Sequence, residues 1–313
     1  MKALICPNCS ANAVLNKRKM MAKCPYCDTE FPVTAEDIGF VEPVTKVLST
    51  IFCNEDASFL QEKLDLMNQE EYWVKNEQFT EYHANGQTIR LSYIYAADNK
   101  DVTMYMGRKV VALKFRDKAQ AKRYVDNTKS IKFPEADTRN LGQYFPSISN
   151  IFDVEEGGTL VIIERGLREY PLSSFMPLED VHAAWVTSRL ENLMCVLQYN
   201  YYCIDDFSVE DFYIDPSEHQ VYFYGGLDRL KKVKYEDDFK PELLRLREVV
   251  TDLMGAGSVE GLKGKIPEAY VDFLEKNPQA DAYKDFATWD ATIMLAFGKR
   301  EFKKIGVDDS KLS

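Results

Sequence analysis

The 313-residue sequence predicts an α+β protein with two lobes, preceded by a small cysteine-rich module. Three observations lead to this prediction. Four of the seven cysteines fall within the first 27 residues. Residues 88–165 contain short apolar runs separated by polar turns, which are typical of strands. Residues 166–313 contain long apolar segments with helical periodicity, which indicate a mostly helical second half.

The composition restricts the classes of protein to consider. Asp and Glu outnumber Lys and Arg by 50 to 39, and the net charge of -11 argues against a broad surface for nucleic acid or anionic membrane. No apolar run approaches the roughly 18 residues that cross a bilayer, and the N-terminus lacks the pattern of a signal peptide. We therefore expect a globular, cytoplasmic protein without a membrane partner.

The clustered cysteines form two CxxC pairs, Cys6 with Cys9 and Cys24 with Cys27. Two residues between cysteines allow a tight turn to aim both thiolates at one ion, and two pairs supply the four ligands of a closed structural zinc site. Residues 1–33 are therefore predicted to form a zinc ribbon. Two disulfides are disfavoured in a reducing compartment, and an iron–sulfur site is the rarer alternative.

The remaining cysteines are expected to be buried, unreactive thiols because they lie among apolar residues; they are Cys53, Cys195 and Cys203. Residues 34–87 are predicted to form a linker, punctuated by Gly39 and Pro43, followed by a helix over residues 55–73. Residues 88–165 should contain five strands and one helix, with three strands over residues 88–115, the helix over residues 117–131 and a turn at Glu156-Gly157-Gly158. Residues 166–313 should contain long helices around two short central strands.

A small sheet lobe, a hinge at residues 165–171 and a helical lobe with a central strand pair resemble the architecture of eukaryotic-like Ser/Thr protein kinases. The stretch VVALKF resembles the kinase VAIK strand. The resemblance implies that Lys114 holds the phosphates of a nucleotide and pairs with a helix glutamate. It offers Glu135 for that partner, because the predicted helix before it contains no glutamate.

The stretch LQYNYYCIDDFSVEDFYID resembles the catalytic loop of the same family without gaps. Asp206 falls on the catalytic aspartate, which orients and deprotonates the attacking hydroxyl, and Asp211 falls on the metal-binding asparagine. The supporting histidine and arginine of the family are replaced by Ile204 and Asp205. The resemblance thus implies a nucleotide site with an altered loop.

Two departures from the kinase pattern affect the residues that bind phosphate and its metal ion. Tyr224-Gly225-Gly226 stands where the family has Asp-Phe-Gly, so the ion between the outer phosphates loses its main protein ligand. The first hairpin, YIYAADNKDVTMYMG, has no G-x-G-x-x-G, and its tip carries Asp98 and Asp101, which would repel phosphate. Binding of ATP and Mg²⁺ is therefore doubtful from the sequence.

The C-terminal stretch ATIMLAFGKREFKKI is similar to a closing motif of bacterial and phage kinase-like proteins that carry an N-terminal zinc ribbon. That resemblance implies a signalling or phosphatase-type protein partner. The leading hypothesis is a pseudokinase that docks a partner. The alternatives are an active divergent kinase with Lys114, Asp206 and Asp211 as a minimal set, and a nucleic-acid-binding protein that uses the basic ribbon hairpin at residues 17–23.

Overall fold

The computed structural model describes residues 6–9, 11, 13–16, 21–33, 71–133, 144–204, 206–234, 239–299, 305 and 307. The chain divides into two compact units, residues 1–70 and 71–313. The first unit contains a three-stranded antiparallel sheet in the order β1 (Val14–Asn16), β2 (Met21–Lys23), β3 (Glu30–Pro32). Its apolar core consists of Ala22 and Val33, with Ala13 and Phe31 packed against them.

The second unit begins with helical residues 71–76 and a β-hairpin, β4 (Gln78–Ala84) and β5 (Gln87–Tyr93). Asn85 and Gly86 join these strands with φ of 52° and 72°. Asn-Gly with two positive φ angles is the preferred two-residue hairpin turn. Strands therefore begin at Gln78, inside the segment predicted as linker and helix, rather than at Thr88. Most of the predicted helix over residues 55–73 lies outside the described residues.

A five-stranded antiparallel sheet follows, made of β6 (Tyr95–Asn99), β7 (Val102–Met106), β8 (Val110–Phe115), β9 (Ile148–Asp153) and β10 (Thr159–Glu164). Their spatial order is β6-β7-β8-β10-β9. The predicted first strand over residues 88–97 is two strands, because β5 ends at Tyr93 and β6 starts at Tyr95. The helix α1 (Lys118–Ser130) begins after Asp117, whose carboxylate accepts a hydrogen bond from the Ala119 amide at 2.9 Å.

Both faces of this sheet are buried. Val111, Leu113 and Phe115 of β8 belong to the large core that also contains residues of α1 and the helical lobe. Ala112 of β8 and Leu160 of β10 belong to a second core, which the β4–β5 hairpin covers. Because successive side chains of a strand point to opposite faces, burial on both faces explains why β8 is an almost unbroken apolar run.

The helical lobe contains α2 (Asp180–Tyr199), α3 (Lys240–Leu253), α4 (Glu268–Glu275) and α5 (Ala282–Phe297). The predicted strand pair is present as β13 (Phe212–Asp215) and β14 (Gln220–Phe223), joined at one edge by β11 (Tyr170–Pro171). A second pair joins β12 (Tyr202–Cys203) to β15 (Lys231–Lys232). The predicted two-lobed α+β architecture, kinase-like in its order of elements, is confirmed.

Two of the three scattered cysteines, Cys195 and Cys203, are buried as predicted, whereas Cys53 lies outside the described residues. Burial raises the pKa of the Cys195 thiol well above its usual value, so this thiol stays protonated at neutral pH. Within the described ranges, no helix combines the length and apolar character that crossing a bilayer requires.

Candidate functional site

The four N-terminal cysteines come together at one end of the ribbon sheet. The amides of Cys6 and Cys24 donate hydrogen bonds to the carbonyl oxygens of Ala11 and Thr29, at 2.8 and 2.9 Å, so the two pairs lie on similar turns. All four sulfur atoms lie within 4.8 Å of one another. This arrangement confirms the predicted cysteine cluster, and it could hold a metal ion.

The sulfur distances distinguish a metal site from disulfides. Cys6 Sγ lies 3.6 Å from Cys27 Sγ, and Cys9 Sγ lies 3.4 Å from Cys24 Sγ. A disulfide requires about 2.05 Å. Four sulfurs at about 2.3 Å from one tetrahedral ion stand about 3.8 Å apart, which is close to the distances observed. The Cys27 sulfur also lies within hydrogen-bond distance of the Thr29 hydroxyl, at 3.1 Å.

In the second unit, Asp206 and Asp211 lie in one loop between β12 and β13. The Asp206 carboxylate is about half exposed, and its oxygens accept from Lys100 Nζ at 2.5 Å and Arg229 Nε at 3.1 Å. Burial opposes ionisation, but these two cations hold the pKa of Asp206 below its usual value. The structure thus places Asp206 as an ionised carboxylate paired with Lys100 and Arg229.

Asp211 is fully buried, and its carboxylate accepts hydrogen bonds from three donors. Oδ1 accepts from Asn99 Nδ2 at 2.8 Å, and Oδ2 accepts from Arg229 Nη2 at 2.7 Å and from the Ser208 amide at 2.9 Å. Gly225 packs directly against this carboxylate: a Cβ at that position would lie 2.3 Å from Asp211 Oδ1. Protein groups therefore surround the carboxylate that was predicted to bind magnesium.

A small cavity lies beside Asp211, between β8, α1 and the glycines that follow β14. Its free volume is about 10 Å³, room for little more than one water molecule and far below the roughly 300–1,000 Å³ of ordinary ligand pockets. Leu113 and Phe115 of β8 line it, together with Asp211 and Asp228. Lys114 does not, because it lies between Leu113 and Phe115 on the strand and points to the opposite face.

Lys114 instead faces the β4–β5 hairpin. Its Nζ donates to the carbonyl oxygens of Phe115, at 3.2 Å, and Gly157, and it lies 5.7 Å from the ring centroid of Tyr82. Burial lowers the pKa of this lysine. The structure thus separates Lys114 from Asp206 and Asp211. The phosphate-binding role that the resemblance implied for Lys114 does not fit this placement. Its expected partner Glu135 lies outside the described residues.

Hydrogen bonds connect α1 to the segment after β14. Gln120 Nε2 donates to Asp228 Oδ2 at 2.8 Å, and Asn127 Nδ2 donates to the Leu227 carbonyl at 2.7 Å. The buried Tyr124 hydroxyl donates to the Tyr224 carbonyl at 2.7 Å. These three contacts fix the backbone at the position of the missing Asp-Phe-Gly motif.

Tyr224 extends from this segment toward the hinge. Its hydroxyl donates to Glu169 Oε2 at 2.5 Å, and its ring centroid lies 5.1 Å from that of Tyr213. Only 3% of Tyr224 is exposed. Arg165 holds the other side of the hinge by donating to the Glu169 carbonyl at 2.6 Å and the Arg108 carbonyl at 2.9 Å. Tyrosine side chains therefore fill the space between the hinge and the β13–β14 pair.

Comparisons with known proteins find distant structural similarities. No family model matches the sequence, and no curated protein matches it. A high-resolution crystal structure of WbdD matches with a TM-score of 0.46 at 13% identity, covering 68% of this chain and 49% of that chain. A structure described as the bifunctional kinase-methyltransferase WbdD gives 0.45 at 13% identity, with 68% and 50% covered. A rhoptry kinase from Toxoplasma gondii gives 0.43 at 13% identity, with 71% and 86% covered.

This chain therefore spans about half the length of the two WbdD chains. The kinase-like architecture of residues 71–299 rests on the order of its own elements: five antiparallel strands with one helix, a hinge, and a helical lobe around a strand pair.

Four residues of the site were not predicted: Asn99, Lys100, Asp228 and Arg229. The predicted hairpin tip carried only repulsive aspartates, yet Lys100 lies between them and contacts Asp206. The signal for Asp228 and Arg229 was a charged pair that follows an apolar strand, two glycines and Leu227.

The hinge carboxylate gives a testable pH dependence. Burial raises the pKa of Glu169, although the Tyr224 hydroxyl opposes this shift. A raised folded-state pKa contributes stability that is fully present below the unfolded value near pH 4.5 and is lost as pH rises through the folded value. Glu169→Gln keeps an acceptor for Tyr224 without this titration. Its unfolding free energy should therefore increase relative to that of wild type as the pH rises from about 4 to about 7.

Urea unfolding of both proteins at each pH measures this difference, and groups common to both proteins cancel. A difference that does not change with pH would contradict the prediction.

Proposed function

We propose that this protein is a kinase-fold protein that does not transfer phosphate and that acts by docking a protein partner. One observation carries the proposal. Asp211, the residue matched to the magnesium ligand, has both carboxylate oxygens bound by Asn99, Arg229 and the Ser208 amide. Magnesium demands octahedral oxygen ligands and waters at about 2.0–2.1 Å. An ion at this position would have to displace a guanidinium from a buried carboxylate.

The rest of the cleft supports the same proposal. Phosphoryl transfer depends on positioning and on cations that neutralise the developing charge. Lys114 faces away from the cleft, and Lys100 and Arg229 are engaged with Asp206. At the hinge end, the buried rings of Tyr224 and Tyr213 pack at an angle of 44°, and the Tyr224 hydroxyl contacts Glu169. Nucleotide binding would require these side chains to move.

The segment that follows the strand pair is also short. β14 ends at Phe223 and α3 begins at Lys240, where Lys240-Pro241-Glu242 matches two of the three residues of the kinase Ala-Pro-Glu motif. In kinases that motif closes the activation loop. Part of the segment is held in a two-stranded sheet, because Lys231 and Lys232 pair with β12. This short connection supports a binding role over one in modifying protein substrates.

For the ribbon, we propose zinc as the bound metal. Four thiolates fill a tetrahedral shell and leave no position for water, so the ion would be structural. The knuckle residue Tyr26 is 80% exposed, and Val14 on β1 is 64% exposed. Exposed aromatic side chains on a rigid turn are typical anchors of protein interfaces. They support the ribbon as one part of the docking surface.

Thermal unfolding with and without ATP tests the proposal. Ligand at a hundredfold excess over Kd stabilises a protein by about 2.7 kcal/mol, enough to raise the midpoint by several degrees. We expect no shift with millimolar ATP, in magnesium or in a chelator too weak to remove zinc from the ribbon. A shift that requires magnesium would overturn the proposal.

One observation favours the alternative of an active, divergent Ser/Thr kinase. Asp206 is 44% exposed, so a substrate hydroxyl could approach it. Transfer of the ATP γ-phosphate would have to disappear in Asp206→Asn. If Asp206→Asn transfers as much phosphate as the parent, the activity belongs to a contaminant.

A further inference from the structure

The tip of the β6–β7 hairpin, Asn99 and Lys100, makes direct polar contacts with the helical lobe. Lys100 Nζ donates to the Asp206 carbonyl at 2.9 Å and to its Oδ2 at 2.5 Å. Asn99 Nδ2 donates to Asp211 Oδ1 at 2.8 Å. The partners are 106 and 112 residues apart in the sequence, so these contacts join the two lobes rather than neighbours in one element.

Arg229 completes the arrangement from the helical lobe. Its Nε donates to Asp206 Oδ1 at 3.1 Å, and its Nη2 donates to Asp211 Oδ2 at 2.7 Å. Each carboxylate is therefore held between one group of the hairpin tip and the same guanidinium. Asn99 is 9% exposed and Asp211 is fully buried, so this half of the contact is shielded from water.

The backbone of the tip is itself unusual. Lys100 takes a φ of 56°, a left-handed conformation that is unfavourable for residues other than glycine and less so for asparagine or aspartate. Such a conformation persists when surrounding contacts hold it. The bonds of Lys100 to Asp206 supply those contacts.

We propose that the hairpin tip is a latch that closes the two lobes without a nucleotide. Asn99 and Lys100 form one side of the latch, and Asp206 and Asp211 form the other. The inference rests on the proposed function: where a phosphate-transferring kinase covers its nucleotide with this hairpin, the hairpin here binds the helical lobe directly. Closure is then a property of the free protein.

The two halves of the latch should respond differently to salt. Lys100 and Asp206 are 43% and 44% exposed, so salt screens their attraction. The bond between Asn99 and Asp211 is buried and depends little on salt. Removing Lys100 alone should therefore open the latch partly, and removing both tip side chains should open it fully.

Hydrogen exchange of the full chain measures the opening. The reporters are the amides of Tyr224 and Gly225, which donate to the Asp211 carbonyl, and the Ser208 amide, which donates to the Asp211 carboxylate. We expect exchange at these amides to rise about 5-fold in Lys100→Ala and up to about 30-fold in Asn99→Ala/Lys100→Ala. Lys100→Arg should restore the wild-type rate.

Lys122→Ala is the matched control, because Lys122 also forms an exposed ion pair, with Asp126, but within α1. It should leave the reporter amides unchanged. If both latch variants exchange like Lys122→Ala, the latch is overturned.

Adding ATP and magnesium to the wild-type protein separates this inference from the proposed function. Slower exchange at the reporter amides with nucleotide would overturn the proposed function. Faster exchange in the latch variants would still support the latch in that case. No response to nucleotide, together with no effect of the latch variants, would overturn the latch and leave the proposed function standing.

Discussion

Cys24→Ser is expected to abolish zinc binding and unfold the ribbon. The physical reason is the size of the ribbon core: among the ribbon residues whose burial the structure describes, Ala22 and Val33 are the buried ones apart from the cysteines. So small a core cannot offset the entropy of ordering the chain. In small zinc modules the metal supplies about 10–16 kcal/mol of apparent binding free energy, and this energy is also the folding energy.

Zinc content and hydrogen exchange of residues 6–33 measure this effect. The wild-type protein should contain one zinc ion per chain and protect the amides of β2, whereas Cys24→Ser should contain none and protect none. Cys203→Ala is the control, because this thiol lies in the helical lobe and its loss should leave the zinc content unchanged. Retention of zinc and protection in Cys24→Ser would show that the four cysteines do not form the site.

Asp211→Ala is expected to lower the unfolding free energy of the second unit by about 3–5 kcal/mol. Removing one partner of a buried ion pair leaves the other charge uncompensated, and the loss is usually of this size. Arg229, whose side chain is 13% exposed, would lose its shortest contact, and Asn99 would lose its acceptor. Asp211→Asn keeps the volume and should fall between wild type and Asp211→Ala.

Urea unfolding followed by tryptophan fluorescence reports this change. All three tryptophans, Trp73, Trp185 and Trp289, lie in the second unit, so the signal excludes the ribbon. Asp206→Ala is the matched control, because Asp206 contacts the same Arg229 but is 44% exposed, and its loss should cost about 1 kcal/mol or less. Equal losses for the two variants would contradict the assignment of Asp211 as the buried centre of the cluster.

The two predictions concern different sources of stability. The described part of the ribbon has a very small apolar core, so we expect its fold to depend on the ligands that two CxxC pairs bring together. The second unit has a core that extends from β6 to α5, so the loss of Asp211 should weaken its fold without abolishing it.

Much of the fold could be predicted because its signals are local. Helix α2 follows from apolar periodicity over twenty residues, and β13 and β14 follow from short apolar runs around a polar turn. The hairpin β4–β5 carried an equally local signal in Asn85-Gly86, which the prediction of a linker overlooked.

The sequence by itself determined the cysteine cluster, the helices α1 and α2, the central strand pair, and the absence of the phosphate-binding glycines and of the Asp-Phe-Gly aspartate. These are properties of residue type and spacing, which act over a few residues. Only the tertiary structure decided the state of the cleft. Lys114 lies on the face of β8 that the β4–β5 hairpin covers, away from Asp206 and Asp211. Because successive residues of a strand point to opposite faces, a shift of one residue in register exchanges the two faces.

The contacts of Asp211 with Asn99 and Arg229 likewise depend on the packing of one lobe against the other. No local pattern in the sequence specifies that Asn99 contacts Asp211, which lies 112 residues later in the chain. The burial of a carboxylate decides whether it binds a guanidinium or a metal ion, and burial is a property of the assembled fold.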